Sequence, residues 1–276
     1  MLKVASVSKN RMPDTVQGGV LFTEDRGVVW LTLSNPGKLN ALNAAMWIEL
    51  ARAFNEFSQR NDLRCIVVSG AGTEAFAAGA DISEFESVRN TLDQVEHYHE
   101  NVVPAALDAI AACDIPVVAA IRGACIGGGL EIASVCDIRV CDSAARFGAP
   151  VGRLGFPMAP REFRYLIRVF GASVVAELLL EGRIFDAVQA RRKGLVTEIF
   201  ESEIFDNALG RTVEYICGGS PMAARINKRQ IRDFLDQGAP PSIAERREFY
   251  KFADSDDYRI GRVAFLQKQT PAFTGT

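Results

Sequence analysis

The chain has 276 residues, of which 48% are hydrophobic and 24% are charged, and its formal net charge at pH 7 is −3. This composition is typical of a folded globular protein with enough chain for a sizeable core. The small negative charge provides no basic field for nucleic acid or for an anionic membrane surface, so neither is expected as a partner.

Cysteine and histidine usage argues against a metal centre. The six cysteines are scattered and form no C-x-x-C pair, and the only histidines are His97 and His99. This pattern favours reduced thiols in a cytoplasmic protein with no bound metal. Both histidines lie in a polar stretch, which predicts solvated rather than catalytic side chains. Residues 1–17 are predicted to form a flexible tail.

The first half of the chain alternates predicted strands and helices. Residues 20–33 form a predicted hairpin, and Asn43 is placed to cap an amphipathic helix over about 44–60. A buried strand is expected over 64–69, followed by a turn of small residues over 75–82.

The alternation continues to about residue 141 and then stops. A helix over 91–112, kinked at Pro104, precedes a buried strand over 115–121. From residue 161 onward almost every segment is predicted to be helical, with one further strand over 195–199. The sequence therefore predicts a βαβ core with a helical region at its end.

Two turns of glycine and alanine carry the chemical signal. Each follows a predicted strand and precedes a helix, and in a parallel sheet both would lie at the carboxyl ends of strands, where ligands bind. Gly127–Gly129 is followed at once by Glu131. Free backbone N–H groups aimed at a developing oxyanion, beside an acid/base group, suit carbonyl chemistry. The alternatives are that the glycines only allow close packing and that Glu131 only complements the helix dipole.

Two nucleotide-binding motifs are excluded by spacing. Neither turn reads G-x-G-x-x-G, and no G-K-[ST] is present for a P-loop. Asp81 and Glu84 are predicted to be residues of a helix start.

Five segments, taken in order, resemble the enoyl-CoA hydratase/isomerase (crotonase) superfamily. They are N-P-G-K-L-N-A-L at 35–42, A-F-A-A-G-A-D-I at 75–82, I-R-G-A-C-I-G-G-G-L-E-I-A at 121–133, the block from L-L-E-G-R-I to G-L-V over 179–196, and A-F-L-Q-K-Q-T-P-A-F at 264–273. Each is weak alone, but the ordered set is specific to the superfamily. It is much less specific to one reaction.

The resemblance implies a fold and a domain organisation. It implies an α/β crotonase-like core of ββα spiral type over 18–200. It also implies a helical C-terminal region over 201–276 that serves oligomerisation, so a homotrimer or homohexamer is expected.

The resemblance also implies a site for an acyl-CoA thioester. The N–H groups of Ala80 and Gly128 would bind the thioester oxygen, and Glu131 would be the general acid/base. Substrate-binding positions would be Lys38, Ala78, Asp81, Ile82 and Val151. Lys38 would approach a CoA phosphate, or would be an ordinary exposed loop lysine. Coenzyme A enters as part of the substrate, and no other cofactor is expected.

Two departures from the superfamily pattern leave the reaction open: valine at position 151, and F-P-M-A-P-R-E at 156–162 where the superfamily has a glycine-rich P-x-x-G-G-T segment. Val151 stands where hydratases of the superfamily carry a second glutamate, and valine transfers no proton. Glu162 is a possible substitute but lies eleven residues further on, and Arg153 could bind a polar acyl group or pair within the protein.

The function expected from the resemblance is that of an acyl-CoA enzyme, either an enoyl-CoA hydratase/dehydratase or an isomerase. The alternatives are a CoA-linked lyase or decarboxylase of the same fold, and an acyl-CoA binding protein that has lost catalysis.

Overall fold

The computed structural model of the protein describes residues 18–237 and 242–276. The predicted tail at 1–17 lies outside the described residues. Ten strands occur in the described chain: β1 (Gly19–Asp25), β2 (Val28–Ser34), β3 (Cys65–Gly70), β4 (Ala75–Ala77), β5 (Val117–Ile121), β6 (Ala124–Ile126), β7 (Ile138–Asp142), β8 (Arg146–Gly148), β9 (Ile184–Asp186) and β10 (Glu198–Phe200).

Twelve α-helices occur in the same described ranges: α1 (Ala44–Ser58), α2 (Phe85–Val88), α3 (Leu92–His97), α4 (Val103–Ala112), α5 (Gly128–Val135), α6 (Pro160–Phe170), α7 (Ala172–Leu179), α8 (Ala187–Arg192), α9 (Phe205–Cys217), α10 (Pro221–Gln237), α11 (Ile243–Phe249) and α12 (Asp256–Gln267). A π-helical turn at Tyr98–Val102 joins α3 to α4.

The strands form two sheets. The larger has the order β1-β2-β3-β5-β7-β10, with an antiparallel β1–β2 hairpin and parallel pairing in the rest. The smaller has the order β4-β6-β8-β9, in which β4, β6 and β8 run parallel. In both sheets a strand, a turn and a helix recur, as the alternation in the sequence predicts.

The larger sheet is covered on both faces. In β3, Ile66 and Val68 join the main core with α1 and α4, while Cys65 and Val67 point to the opposite face and meet α9. This two-sided burial explains why β3 and β5 are continuous apolar runs rather than alternating ones.

The C-terminal helices are tied to this core by polar contacts. On α10, Lys228 Nζ donates to the carbonyl oxygen of Ile115 and pairs with Asp137, both at 2.8 Å. Near the end of the chain, the carbonyl oxygen of Phe273 accepts a hydrogen bond of 2.6 Å from Arg64. The helical character predicted after residue 201 is thus present in the described residues.

Most predicted elements are confirmed, and two are corrected. The strand expected at 195–199 is found at Glu198–Phe200, because Leu195 and Val196 belong to the turn that follows α8 and are buried there. The first three residues of the expected turn at 75–82 form strand β4. Strands β4, β6, β8 and β9 have three residues each, too few for an alternation pattern to reveal.

Candidate active site

The two glycine turns meet at one edge of the smaller sheet. Strands β4 and β6 pair in parallel, so the turns that follow them leave at the same end. Gly79 and Gly127 both have left-handed backbone angles, with φ of 103° and 50°. A Cβ atom placed on Gly127 would lie only 3.5 Å from the Cα of Gly79. The structure therefore places the two turns side by side at the carboxyl ends of β4 and β6, as expected for turns that follow neighbouring parallel strands.

Each turn presents one backbone amide directly after its left-handed glycine. In the described residues, the neighbouring amides are engaged: Asp81 N–H donates to Leu42 O at 2.8 Å, and Gly127 N–H donates to Gly148 O at 2.9 Å. The amides of Ala80 and Gly128 donate no such bond between loops. Because Gly128 is the first residue of α5, its N–H also has no acceptor within the helix. Two donors are thus available side by side for a ligand oxygen.

The glycines at the start of α5 are required by close contacts. A Cβ on Gly128 would lie 2.9 Å from both Leu42 Cδ1 and Trp47 Cζ2, and one on Gly129 would lie 2.5 Å from the carbonyl oxygen of Ala77. These contacts support the packing explanation for these glycines. Close packing and the presentation of amides are two consequences of the same backbone path.

Glu131 lies in the first turn of α5 and is only 6% exposed. Its carboxyl group makes no hydrogen bond to any residue in the described ranges. Burial raises the pKa of Glu131 well above its ordinary value, and the charge of Glu162 raises this pKa further, while His99 and Arg89 oppose the shift. A carboxyl group in this state can hold a proton at neutral pH.

Glu162, the possible substitute for a glutamate at position 151, is a buried residue. It lies in the first turn of α6, is 3% exposed, and packs where α6 meets α5. Burial also raises the pKa of Glu162, against the charge of Arg89 and the amide of Ala159. A sequence signal did exist: Glu162, Tyr165 and Leu166 have the i, i+3, i+4 spacing of one helix face, and all three are buried.

His99 corrects the prediction that both histidines are solvated. His97 is exposed, but His99 lies in the π-helical turn and its side chain is only 18% exposed. The His99 Nδ1 atom lies 2.6 Å from Glu162 Oε1. Burial lowers the pKa of His99, and the charge of Arg89 lowers it further, so the imidazole is neutral at pH 7. Inserted π turns of this kind occur frequently at functional sites.

Arg89 supplies a positive charge to this group of side chains. Its guanidinium carbon lies 3.7 Å from the ring centre of Tyr98 and 4.5 Å from that of Phe85. The Nε atom of Arg89 is buried and has no hydrogen-bond partner in the described chain. Its charge favours ionisation of both glutamates, which offsets part of the burial effect.

The predicted substrate-binding positions in the 38–82 region lie around one ion pair. Lys38 Nζ donates to Asp81 Oδ2 at 2.7 Å and to Ser83 Oγ at 2.8 Å. Burial alone would raise the pKa of Asp81, but hydrogen bonds from Lys38, Ser83 and Asn35 lower it on balance. Asp81 also caps the helical turn that follows it, as predicted.

Two of the predicted positions offer an open surface beside this ion pair. Ile82 is 58% exposed, and Ala78 is held by a 3.0 Å bond from its N–H to Leu39 O. The predicted substrate contacts of Lys38, Ala78, Asp81 and Ile82 stay predictions.

Val151 and Arg153 lie in a short 3₁₀ turn at Val151–Leu154. Val151 is half-buried, and its contact with substrate stays a prediction. Arg153 donates to Gly182 O at 2.9 Å, which favours the structural role for this arginine over binding of a polar acyl group.

The described residues contain neither a cluster of metal-ligating side chains nor a membrane-spanning helix. In the ranges 18–237 and 242–276, no three His, Cys, Asp or Glu side chains converge as metal ligands. Over the same ranges, no helix is both long enough and apolar enough to cross a bilayer.

Comparison with known proteins places this chain in one family. Residues 23–276 match the family model described as enoyl-CoA hydratase/isomerase. An Arabidopsis thaliana protein named probable enoyl-CoA hydratase 2, mitochondrial, is 33% identical over 95% of this chain and 87% of its own length. The 2,3-dehydroadipyl-CoA hydratase of Escherichia coli is 29% identical over 93% of this chain and 98% of its own.

Solved structures agree with the sequence relatives. An enoyl-CoA hydratase/carnithine racemase from Magnetospirillum magneticum superposes with a TM-score of 0.90 at 40% identity, covering 93% of this chain and 96% of that one. The enoyl-CoA hydratase of Bacillus anthracis gives a TM-score of 0.85 at 25% identity, with 93% and 99% coverage. The architecture is therefore that of the crotonase-fold α/β proteins. The chain belongs to the enoyl-CoA hydratase/isomerase family and is an acyl-CoA-processing enzyme.

Proposed function

We propose that the protein hydrates a 2-enoyl-CoA thioester reversibly, with the amides of Ala80 and Gly128 as the oxyanion hole and Glu131 as the general acid/base. One observation carries the proposal: the two free amides emerge from touching turns, and a buried carboxyl group lies one helical turn from the second amide. The names of the relatives support the same reaction class.

The reaction needs a place for negative charge. As the oxygen of water bonds to Cβ, the π electrons of the Cα=Cβ bond move onto the thioester oxygen and form an enolate. Two amide donors stabilise that oxygen, and loss of one donor in such a site costs on the order of 10²–10³ in rate. Cα then accepts a proton from Glu131, and the proton that the water loses replaces it, so the product is the 3-hydroxyacyl-CoA. Isomerisation of the double bond would use the same enolate and the same carboxyl group.

The direct test follows the absorbance of the enoyl thioester of crotonyl-CoA. Glu131→Gln keeps the side-chain volume but removes the proton-transfer group, so the hydration rate is expected to fall about 10²–10⁴-fold. The melting temperature and CoA-ester binding should change little. A rate in this variant within tenfold of wild type would contradict the assignment of Glu131.

A CoA-linked lyase or decarboxylase is the second candidate, because Val151 stands where a second glutamate is expected. Mass spectrometry on a panel of acyl-CoA thioesters separates the two: hydration adds the mass of water, whereas cleavage or decarboxylation shortens the acyl chain. Tight binding of several esters without any turnover would instead indicate a binding protein that has lost catalysis.

We also infer a homotrimer, or a hexamer built from two trimers, and a cytoplasmic location. Support for the oligomer comes from large apolar side chains exposed on α10 and α12, among them Ile231, Leu235, Phe265 and Leu266. Support for a reducing compartment comes from the cysteines, none of which is in a disulfide in the described chain.

A further inference from the structure

Two buried glutamates lie on the helices α5 and α6, which pack against each other. Glu131 and Glu162 each lie in the first turn of their helix, and each is less than one-tenth exposed. The charge of Glu162 acts on Glu131 strongly enough to raise its pKa beyond the effect of burial. Two carboxyl groups in such a relation share a proton, because both cannot ionise cheaply in a low-dielectric site.

The carboxyl group of Glu162 is oriented by His99, and it forms no salt bridge with a Lys or Arg side chain of the described residues. Its one close side-chain partner in the described chain is His99, at 2.6 Å, and that imidazole is neutral. A buried carboxyl group without a cationic partner destabilises a fold, and an apolar side chain would pack better beside Tyr165 and Leu166. An acid at this buried position is what a catalytic role requires. Glu162, Glu131 and His99 interact electrostatically with one another and with three further titratable or charged groups of the same cluster, which are Arg89, Glu100 and Tyr98.

We propose that Glu162 is the second catalytic carboxyl group, in place of a glutamate at Val151, and that His99 is its positioning residue. This proposal rests on the hydration function proposed above. The Cα atom of the acyl chain is bonded to the thioester carbon, whose oxygen is held at Gly128. Glu131 lies three residues further along the same helix, so its carboxyl group transfers the proton at Cα. Glu162, on the neighbouring helix α6, accepts a proton from the attacking water.

The proton count of the step balances across the pair. The carboxylate of Glu162 takes a proton from water as the oxygen–Cβ bond forms and the Cα=Cβ π bond breaks. The carboxylic acid of Glu131 gives its proton to Cα as the enolate collapses. Water is thereby added across the double bond, and the two carboxyl groups hold one proton between them before and after.

The test separates the water step from the enolate step. Glu162→Gln keeps the volume and a hydrogen-bonding atom for His99. Crotonyl-CoA hydration should fall at least 100-fold in this variant. The rate at which the α protons of butyryl-CoA exchange with D₂O, measured by mass spectrometry, should stay within tenfold of wild type. This exchange needs only Glu131 and the amides of Ala80 and Gly128. Glu131→Gln should lose both activities.

A pH profile gives a readout that a structural role would not change. The wild-type kcat/KM for hydration should be bell-shaped, because one carboxylate and one carboxylic acid are required, and Glu162→Gln should lose one limb. Glu162→Asp should keep both limbs and be at least tenfold faster than the Gln variant, which also covers the case in which the Gln variant folds poorly. For the positioning role, His99→Gln should lower kcat at least tenfold and change KM less than threefold.

Glu96→Gln is the matched control, since Glu96 is exposed on the nearby helix α3 and is not among the groups that act on this cluster. Its hydration rate should stay within threefold of wild type. Hydration by Glu162→Gln at the wild-type rate would overturn the role of Glu162, and so would equal loss of hydration and exchange in a well-folded variant. Wild-type protein that exchanges α protons but hydrates no enoyl-CoA would contradict the proposed function, and this proposal with it.

Discussion

At the scale of single residues, one cation opposes the effect of burial on the pKa values of both glutamates. Arg89 is stacked on Tyr98, its Nε is buried without a partner, and its charge lowers the pKa values of Glu131, Glu162 and His99. Burial raises the pKa of each glutamate and favours the protonated form, whereas the charge of Arg89 lowers the pKa and favours the carboxylate. Acid/base catalysis requires access to the carboxylate form as well as to the acid, and the charge of Arg89 favours the carboxylate.

Removal of this cation should move the pH profile in a defined direction. In Arg89→Met the pKa values of both glutamates rise, so the carboxylate needed for hydration forms only at higher pH. The acidic limb of kcat/KM should therefore shift to higher pH, as measured with crotonyl-CoA in buffers of constant ionic strength. Arg52→Met is the control, because Arg52 pairs with Glu56 on the exposed face of α1. An unmoved acidic limb in Arg89→Met would contradict this account of the electrostatics.

At the scale of elements, the site depends on how closely α5 approaches its neighbours. The first residue of α5 has room for no side chain, because Leu42 and Trp47 lie where a Cβ would be. The amide that is proposed to hold the oxyanion is therefore fixed by the packing beneath it. Precision in the oxyanion hole and stability of the core come from the same contacts.

A methyl group at this position should disturb both properties. Gly128→Ala is expected to cost about 1–3 kcal/mol in the free energy of unfolding by overpacking. It should also lower kcat for hydration by displacing the amide. Gly210→Ala is the matched control: Gly210 lies within α9 with nothing near its Cβ position, so alanine should be neutral or stabilise by about 0.5–1 kcal/mol. Urea denaturation and the crotonyl-CoA assay measure both effects, and an active, fully stable Gly128→Ala would contradict the packing argument.

The sequence predicted the parts of the site that are contiguous in the chain. The glycine turn and Glu131 are neighbours in sequence, and the ordered motifs predicted the fold, which the comparisons confirm. The pairing of Glu131 with Glu162 could not be read in the same way, because it depends on the packing of α5 against α6. The prediction that His99 is solvated was wrong for a related reason. Its neighbours in the sequence are polar, which predicts an exposed side chain, but the π-helical turn and the contact with Glu162 bury it.

At the scale of the whole molecule, the C-terminal helices carry an apolar surface that a single chain leaves exposed. Phe265 and Leu266 on α12 are 83% and 76% exposed, and a cavity beside them is lined by Met222, Ile226, Phe249, Phe252 and Phe273. Exposed apolar surface of this kind is typical of a protein–protein interface. It supports the proposed assembly of several copies of the chain.

A charge placed on this surface should break the assembly. Phe265→Asp is expected to convert a trimer or hexamer into smaller species, because an interface cannot bury an unpaired carboxylate cheaply. Size-exclusion chromatography with light scattering measures the mass directly. Leu180→Glu is the control, since Leu180 is 86% exposed but caps the C-terminus of α7 and belongs to neither α10 nor α12. A wild-type protein that is monomeric at micromolar concentration would contradict the inference.

The central claim is that two amides on touching turns hold a thioester oxygen beside Glu131. A crystal structure with a bound, unreactive acyl-CoA analogue tests it most directly. The account predicts that the thioester oxygen lies about 2.7–3.1 Å from the nitrogen atoms of both Ala80 and Gly128. It also predicts that the carboxyl group of Glu131 is within reach of Cα. A thioester oxygen bound elsewhere, with both amides facing solvent, would contradict it.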